Sequence, residues 1–273
     1  TFLPLFCRRR YGEDRAEQMH SLWRRFLPLA EASRWGTQVA RCKRFTPVRE
    51  FYPDIYFNLR GWWMSEPQDT IIRHEEYFIF EEDTLGHLEK TGEEVIAELK
   101  ALEPSFAGDE FLRRDSIDIR RTIIARLIEL HMARIGLQAR TWREGGSGEG
   151  LLRELDIVRS LGRRFSDTLA ESPEFSLYQA LEDLKRKHPT NPNFEYTLKG
   201  NAENSYCRSH IYELARYVYE PAFEVFAKWI EARVAAGDRR PWYGTDAERN
   251  TLFQAVSDAF YARPLSEMKP PSL

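Results

Sequence analysis

Asn191, Asn193, Tyr196, Lys199, Asn204, Tyr206, His210 and Tyr217 fall within one stretch of the chain, Asn191 to Phe226. Their amide, ammonium, imidazole and phenol groups donate and accept hydrogen bonds, and the tyrosine rings add flat apolar faces. A polar, turn-rich segment, NPNFEYTLKG, leads into a run with helical spacing. Cys207, Ile211, Leu214 and Val218 make one row of it. Tyr206, His210 and Tyr217 make a second row beside the first. Two stripes commit two faces of a helix. One suits the core; the other is a candidate wall for a binding site.

A wall is not a reacting centre, and the rest of the chain supplies none. There is no His-Glu-x-x-His, no Gly-x-Ser-x-Gly and no paired-cysteine motif. Adjacent acids such as Glu75-Glu76 and Glu81-Glu82 diverge by about 100° on a helix and need not converge. Cys7, Cys42 and Cys207 are too far apart for a metal knuckle and imply no disulfide framework. GGSGEG at 145–150 lacks the Lys-Ser/Thr ending of a phosphate loop and reads as a plain connection. His131 lies on an apolar helix face and reads as a hydrogen-bonded core histidine. No catalytic residue, metal ligand or cofactor is expected within the chain.

The elements that must position the polar stretch are helices. Residues 13–32 read as a helix with Ala16, Met19, Trp23, Phe26, Leu27 and Ala30 on one face and Glu13 and Asp14 at its positive end. Residues 70–102 return to helix, with a break near Gly86 or Gly92. Residues 115–138 form the clearest core helix, with Asp115 or Ser116 as its cap. Another follows from Leu152 to Leu169, and Ser172-Pro173-Glu174 opens the next. Pro221 kinks or restarts the helix of the organising stretch, Thr245 or Asp246 caps a last one, and the tail after Pro264 reads as loose. Between residues 33 and 69 the pattern is irregular and crowded with rings, among them Trp35, Phe45, Tyr52, Tyr56, Trp62 and Trp63. So many aromatics in a loop-like stretch need a surface to pack on. No alternation typical of strands and no repeat appears. The expected fold is all-α, an irregular bundle of about eight helices with a long aromatic-rich loop segment.

The 273 residues suffice for an ample core, and they read as a single helical domain, 1–273. The net charge of −3 gives no basic surplus for nucleic acid, and the basic run Arg8-Arg9-Arg10 is short and isolated. No run of about 18 apolar residues occurs, so no membrane span is expected. The chain opens with TFLPLFC, as if mid-protein, and is read as a part of something longer.

Four local matches resemble one family. Arg9-Arg10-Tyr11-Gly12, with Trp23 on the following helix, looks like the opening Arg-Tyr-Gly and Trp-bearing helix of the C-terminal helical domain of α-N-acetylglucosaminidases, glycoside hydrolase family 89. Asp118-Ile119-Arg120-Arg121 resembles an Asp-Leu-Thr-Arg run there. Leu169-Ala170-Glu171-Ser172-Pro173-Glu174-Phe175 resembles a segment joining two helices. Tyr196-Thr197-Leu198-Lys199-Gly200, then Asn204, Tyr206 and Tyr219-Glu220-Pro221, resembles Leu-Thr-Leu-Trp-Gly, an Asn, a Tyr and Tyr-x-Pro in the same order.

The resemblance implies a retaining exo-glycosidase of glycosaminoglycan breakdown, secreted or lysosomal. Its two catalytic carboxylates, about 5 to 5.5 Å apart, would lie on a (β/α)8 barrel outside this chain. The barrel of the same polypeptide would be the partner, the glycan would bind at the junction, and this chain would be inactive alone. Tyr206, Asn204 and Lys199 are the implied substrate-pocket residues. The family's pocket tryptophan falls at Lys199, and two residues are missing between Lys199 and Tyr206. A lysine offers no stacking surface but can bind an anion, so either the loop is rebuilt or the glycan carries an acidic or sulfated neighbour. The rival reading is a stand-alone helical protein-interaction module with no activity.

Overall fold

In the computed structural model, the residues described are 2–32, 82–106, 108–190, 193–204, 210–239 and 246–273. Every regular element among them is helical, nine helices with three short 3-10 turns, so the protein is all-α. The aromatic-rich segment from Trp35 to Trp63 and the proposed cap Thr245 lie outside the described residues. The described residues fall into two compact units. The first holds described residues 2–32 and 82–127, and the second holds those from 128 onward.

In the first unit α1 (Phe2–Tyr11) and α2 (Glu13–Ala32) are separated by one residue, Gly12. Gly12 has φ +81°, and its N–H donates to the Arg8 carbonyl at 3.1 Å, closing α1 in the left-handed turn that glycine adopts without strain. α2 buries Ala16, Met19, Leu22, Phe26 and Leu29. Leu27, expected on that face, is 39% exposed, because it stands about 100° round the helix from Phe26. α3 (Glu82–Leu102) runs unbroken through Gly86 and Gly92. At Gly92 the reason is packing: a Cβ there would lie 2.9 Å from the Ile123 side chain.

α4 (Glu110–Arg143) is 34 residues long, and its two halves contribute to the two units. It begins before the expected cap. Asp109 Oδ1 accepts from the Leu112 N–H at 3.1 Å, which places Asp115 and Ser116 inside the helix. The expected face is buried, from Ile117 and Ile124 to Ile135. His131 is buried with Nδ1 2.6 Å from Glu154 Oε2, the hydrogen-bonded core histidine that the pattern predicts.

The second unit continues with α5 (Glu149–Leu169), which buries Leu151, Leu155, Val158, Leu161, Phe165 and Leu169. Ser172 caps a 3-10 turn, Pro173–Phe175, and not an α-helix; Ser176 then caps α6 (Leu177–Lys187). α7 is Phe194–Asn204. α8 begins as Tyr212–Leu214, passes through a π turn, Ala215–Tyr219, and continues as Glu220–Ala236. Pro221 comes one residue after the π turn, so its missing N–H and bulky ring fall where the helical ladder has already shifted. α9 is Asp246–Ala262. The tail beyond Pro264 is packed, not loose: Leu265, Met268 and Pro270 are buried, and Ser272 Oγ donates to the Ala170 carbonyl. None of the described helices is long and apolar enough to cross a membrane.

Candidate functional site

The organising stretch divides differently from its pattern. NPNFEYTLKG was expected as a turn-rich lead-in, yet Phe194 already starts α7. Ile211 and His210 precede α8 and do not belong to it, so the two long rows do not form on one helix. Tyr206 lies outside the described residues, and only the helical backbone of Asn204, at the end of α7, is described.

Lys199 is 2% exposed. Its Nζ is 2.6 Å from the Arg263 carbonyl, 3.4 Å from that of Tyr261 and 3.0 Å from Glu195 Oε1 one turn back on α7. The Phe260 ring centroid stands 5.6 Å away. Glu195 Oε1 also accepts the Leu265 N–H at 2.7 Å. Burial disfavours the Glu195 carboxylate, but the bonds from Lys199 and Leu265 outweigh it and hold its pKa below the ordinary value. The pair therefore joins α7 to the end of α9 and the packed tail. As a ligand for a glycan anion, Lys199 would have to give up these partners.

Beyond residue 209 the described part of the stretch is equally well tied. The rings of Phe165 and His210 meet edge to face at 5.0 Å. Tyr212 and Tyr217 do so at 6.3 Å. Burial first, then its bond with Tyr217, pushes the Tyr212 phenol up to about 12. Glu213, expected on neither stripe, is wholly buried and accepts from Ser176 Oγ at 2.7 Å and from the N–H groups of Leu177 and Tyr178 at 2.8 and 3.0 Å. A carboxylate at the positive end of α6 satisfies donors that the helix cannot. Burial still pushes its pKa up against those bonds. Sequence reasoning missed Glu213 because its partners are 35 to 37 residues away.

One open cleft of about 570 Å³ adjoins the π turn. Arg159 and Arg163 of α5 line it with Arg216 of the π turn and Glu220, Pro221, Phe223 and Glu224 of α8. Glu220 and Pro221 were expected as part of the Tyr-x-Pro match, Pro221 also as a helix kink, and Phe223 on an apolar helix face; the three arginines and Glu224 carried no expectation from sequence. Among the described residues, no group of three or more His, Cys, Asp or Glu side chains could hold a metal ion.

No protein-family model, curated protein or solved structure matches the chain. The reading of function therefore rests on the residues themselves.

The first unit places the opening motif in one network. Arg10 and Tyr11 both reach Asp115 of α4: Arg10 Nη2 donates to Oδ1 at 2.7 Å, Arg10 Nε also donates to Oδ2, and Tyr11 Oη donates to Oδ2 at 2.7 Å. Trp23 Nε1 donates to Tyr11 Oη at 2.8 Å. Burial, then the Asp115 bond, pushes the Tyr11 phenol up. This network has the character of a structural joint, with each donor matched to an acceptor.

Proposed function

We propose that this chain is the helical domain of an α-N-acetylglucosaminidase-like exo-glycosidase, which packs on a catalytic (β/α)8 barrel of the same polypeptide and completes the pocket for a terminal α-linked N-acetylglucosamine. One observation supports the reading: residues from three of the four local matches stand where the helical path turns or joins. Arg10, Tyr11 and Trp23 converge on or beside Asp115 at the Gly12 break. Ser172 to Phe175 forms the tight turn between α5 and α6. Tyr219-Glu220-Pro221 marks the change from π turn to α-helix. A shared fold would keep such residues for backbone reasons alone.

In this reading Tyr206 and Asn204 meet the sugar, by ring stacking and hydrogen bonding. Lys199 anchors the base of the segment that carries them. The barrel supplies the acid/base and the nucleophile. The test is hydrolysis of an aryl α-N-acetylglucosaminide by the longest natural polypeptide containing this chain, beside the chain alone. Turnover in the former and none in the latter is expected, with Tyr206→Ala lowering kcat/KM by roughly tenfold or more for a lost stacking contact. A polypeptide without a barrel, or one inactive on every α-hexosaminide tried, overturns the reading.

A helical interaction module is the second reading. Phe2 and Phe111 are 80% and 58% exposed in the first unit, and Leu5, on the same helix as Phe2, is exposed too. Such apolar surface suits a protein partner as well as a barrel.

A further inference from the structure

We propose that the cleft between α5 and the π turn of α8 binds a small oxyanion, the carboxylate, phosphate or sulfate group of a ligand, with Arg163 as the residue that holds it. The site is independent of the glycosidase reading, and either can fail without the other.

Charge pairing within the cleft carries the inference. Its lining brings together the guanidinium groups of Arg159, Arg163 and Arg216 with the carboxylates of Glu220 and Glu224. Arg159 is fully engaged: Nε donates to Glu224 Oε2 at 2.8 Å, and Nη1 lies 2.6 Å from Glu231 Oε1 and 2.9 Å from Asp156 Oδ1. Arg216 Nη1 meets Glu220 Oε2 at 3.1 Å, and Glu220 Oε1 also accepts from Ser166 Oγ at 2.5 Å. Both carboxylates are thus turned to partners within the protein. Among the described residues Arg163 has only a weak bond, from Nε to the Arg159 carbonyl at 3.4 Å. No carboxylate among the described residues pairs with it, and its two terminal amino groups stay available.

A free guanidinium fork matches two oxygens of a carboxylate, phosphate or sulfate. A solitary arginine on an open helix face would carry little meaning. Here Arg163 lines a concavity in which the two other guanidinium groups are held by carboxylates, so that among the described residues it is the one of the three whose fork is left for a ligand. Arg216 of the π turn is partly exposed, with its charge balanced by Glu220. The volume, about 570 Å³, admits the anion together with the body of a small molecule. A metal ion does not suit a lining in which arginines outnumber acids and every acid is already bonded.

The test titrates the full chain with inorganic phosphate, sulfate and acetate, with ionic strength held by sodium chloride, reading Tm and heats of binding. Wild type is compared with Arg163→Gln and with Arg153→Gln, an exposed arginine on the same helix outside the cleft. Arg163→Gln is expected to leave the anion-free Tm unchanged, since it removes one long bond, and to weaken anion binding roughly tenfold or more. Arg153→Gln should bind as wild type does. Phosphate and sulfate binding with no acetate response assigns a tetrahedral oxyanion; acetate binding of similar strength assigns a carboxylate. Wild type responding to none of the three beyond chloride, or Arg163→Gln binding as tightly as wild type, overturns the proposal.

Discussion

A lysine ammonium taken out of water must recover its hydration from fixed partners. Lys199 does so with two backbone carbonyls and the Glu195 carboxylate. Lys199→Met should therefore cost about 2 kcal/mol, because it strands both Glu195 and the carbonyls; urea unfolding of the full chain measures it. A loss below a few tenths would mean that the ammonium contributes nothing. Glu195 gives the matching pH dependence. Its pKa is lowered on folding from the ordinary 4.5, so its stabilisation is complete above that value and is lost as pH falls through the lower, folded one. The stability difference between wild type and Glu195→Gln should be flat above about pH 6 and shrink steadily below pH 4.5. Equal differences at pH 7 and pH 3 would show that the carboxylate charge plays no part.

At the scale of elements, the joint between α1, α2 and α4 depends on one conformation and one carboxylate. Gly12 has no atom within 4 Å of where a Cβ would sit, so Gly12→Ala meets no clash. Its cost comes from φ +81° alone, about 1 kcal/mol. Gly12→Asn should recover part of it, because asparagine tolerates the left-handed region better, and thermal unfolding of the two variants separates strain from crowding. Asp115→Ala removes the acceptor of both Arg10 and the buried Tyr11 hydroxyl, and about 3 kcal/mol should go with it. The π turn of α8 is the corresponding feature of the second unit. It sets Arg216 on the cleft wall, and Pro221 comes just after its end, where a regular ladder would be blocked.

For the whole molecule, the division into two compact units makes a kinetic statement. Each unit has its own buried polar joint, Arg10–Tyr11–Asp115 in the first and His131–Glu154 in the second. Asp115→Ala should raise amide hydrogen exchange most within residues 2–32 and 110–127, and His131→Ala most within the second half of α4 and α5. Uniform acceleration in both variants would mean that the chain opens as one cooperative unit. α4 is the element to watch, since its halves serve different units.

Helical periodicity, proline positions and side-chain chemistry determined much by themselves. They established the all-α class, the apolar faces of α2, α4 and α5, and the buried, bonded state of His131, because a residue's neighbours at three and four positions are set by its own helix. The tertiary structure decided what depends on distant partners. Asp115 reads as a cap in sequence but serves Arg10 and Tyr11 more than 100 residues away. The tail beyond Pro264 reads as loose but is held by Glu195 and by its own buried Leu265 and Met268. Lys199 reads as an accessible cation but is enclosed by the end of α9. No local pattern encodes a carbonyl 64 residues away, nor which of three arginines around a cleft is left without an acid among the described residues. Those outcomes follow from which surfaces close over which charges, and packing alone settles that.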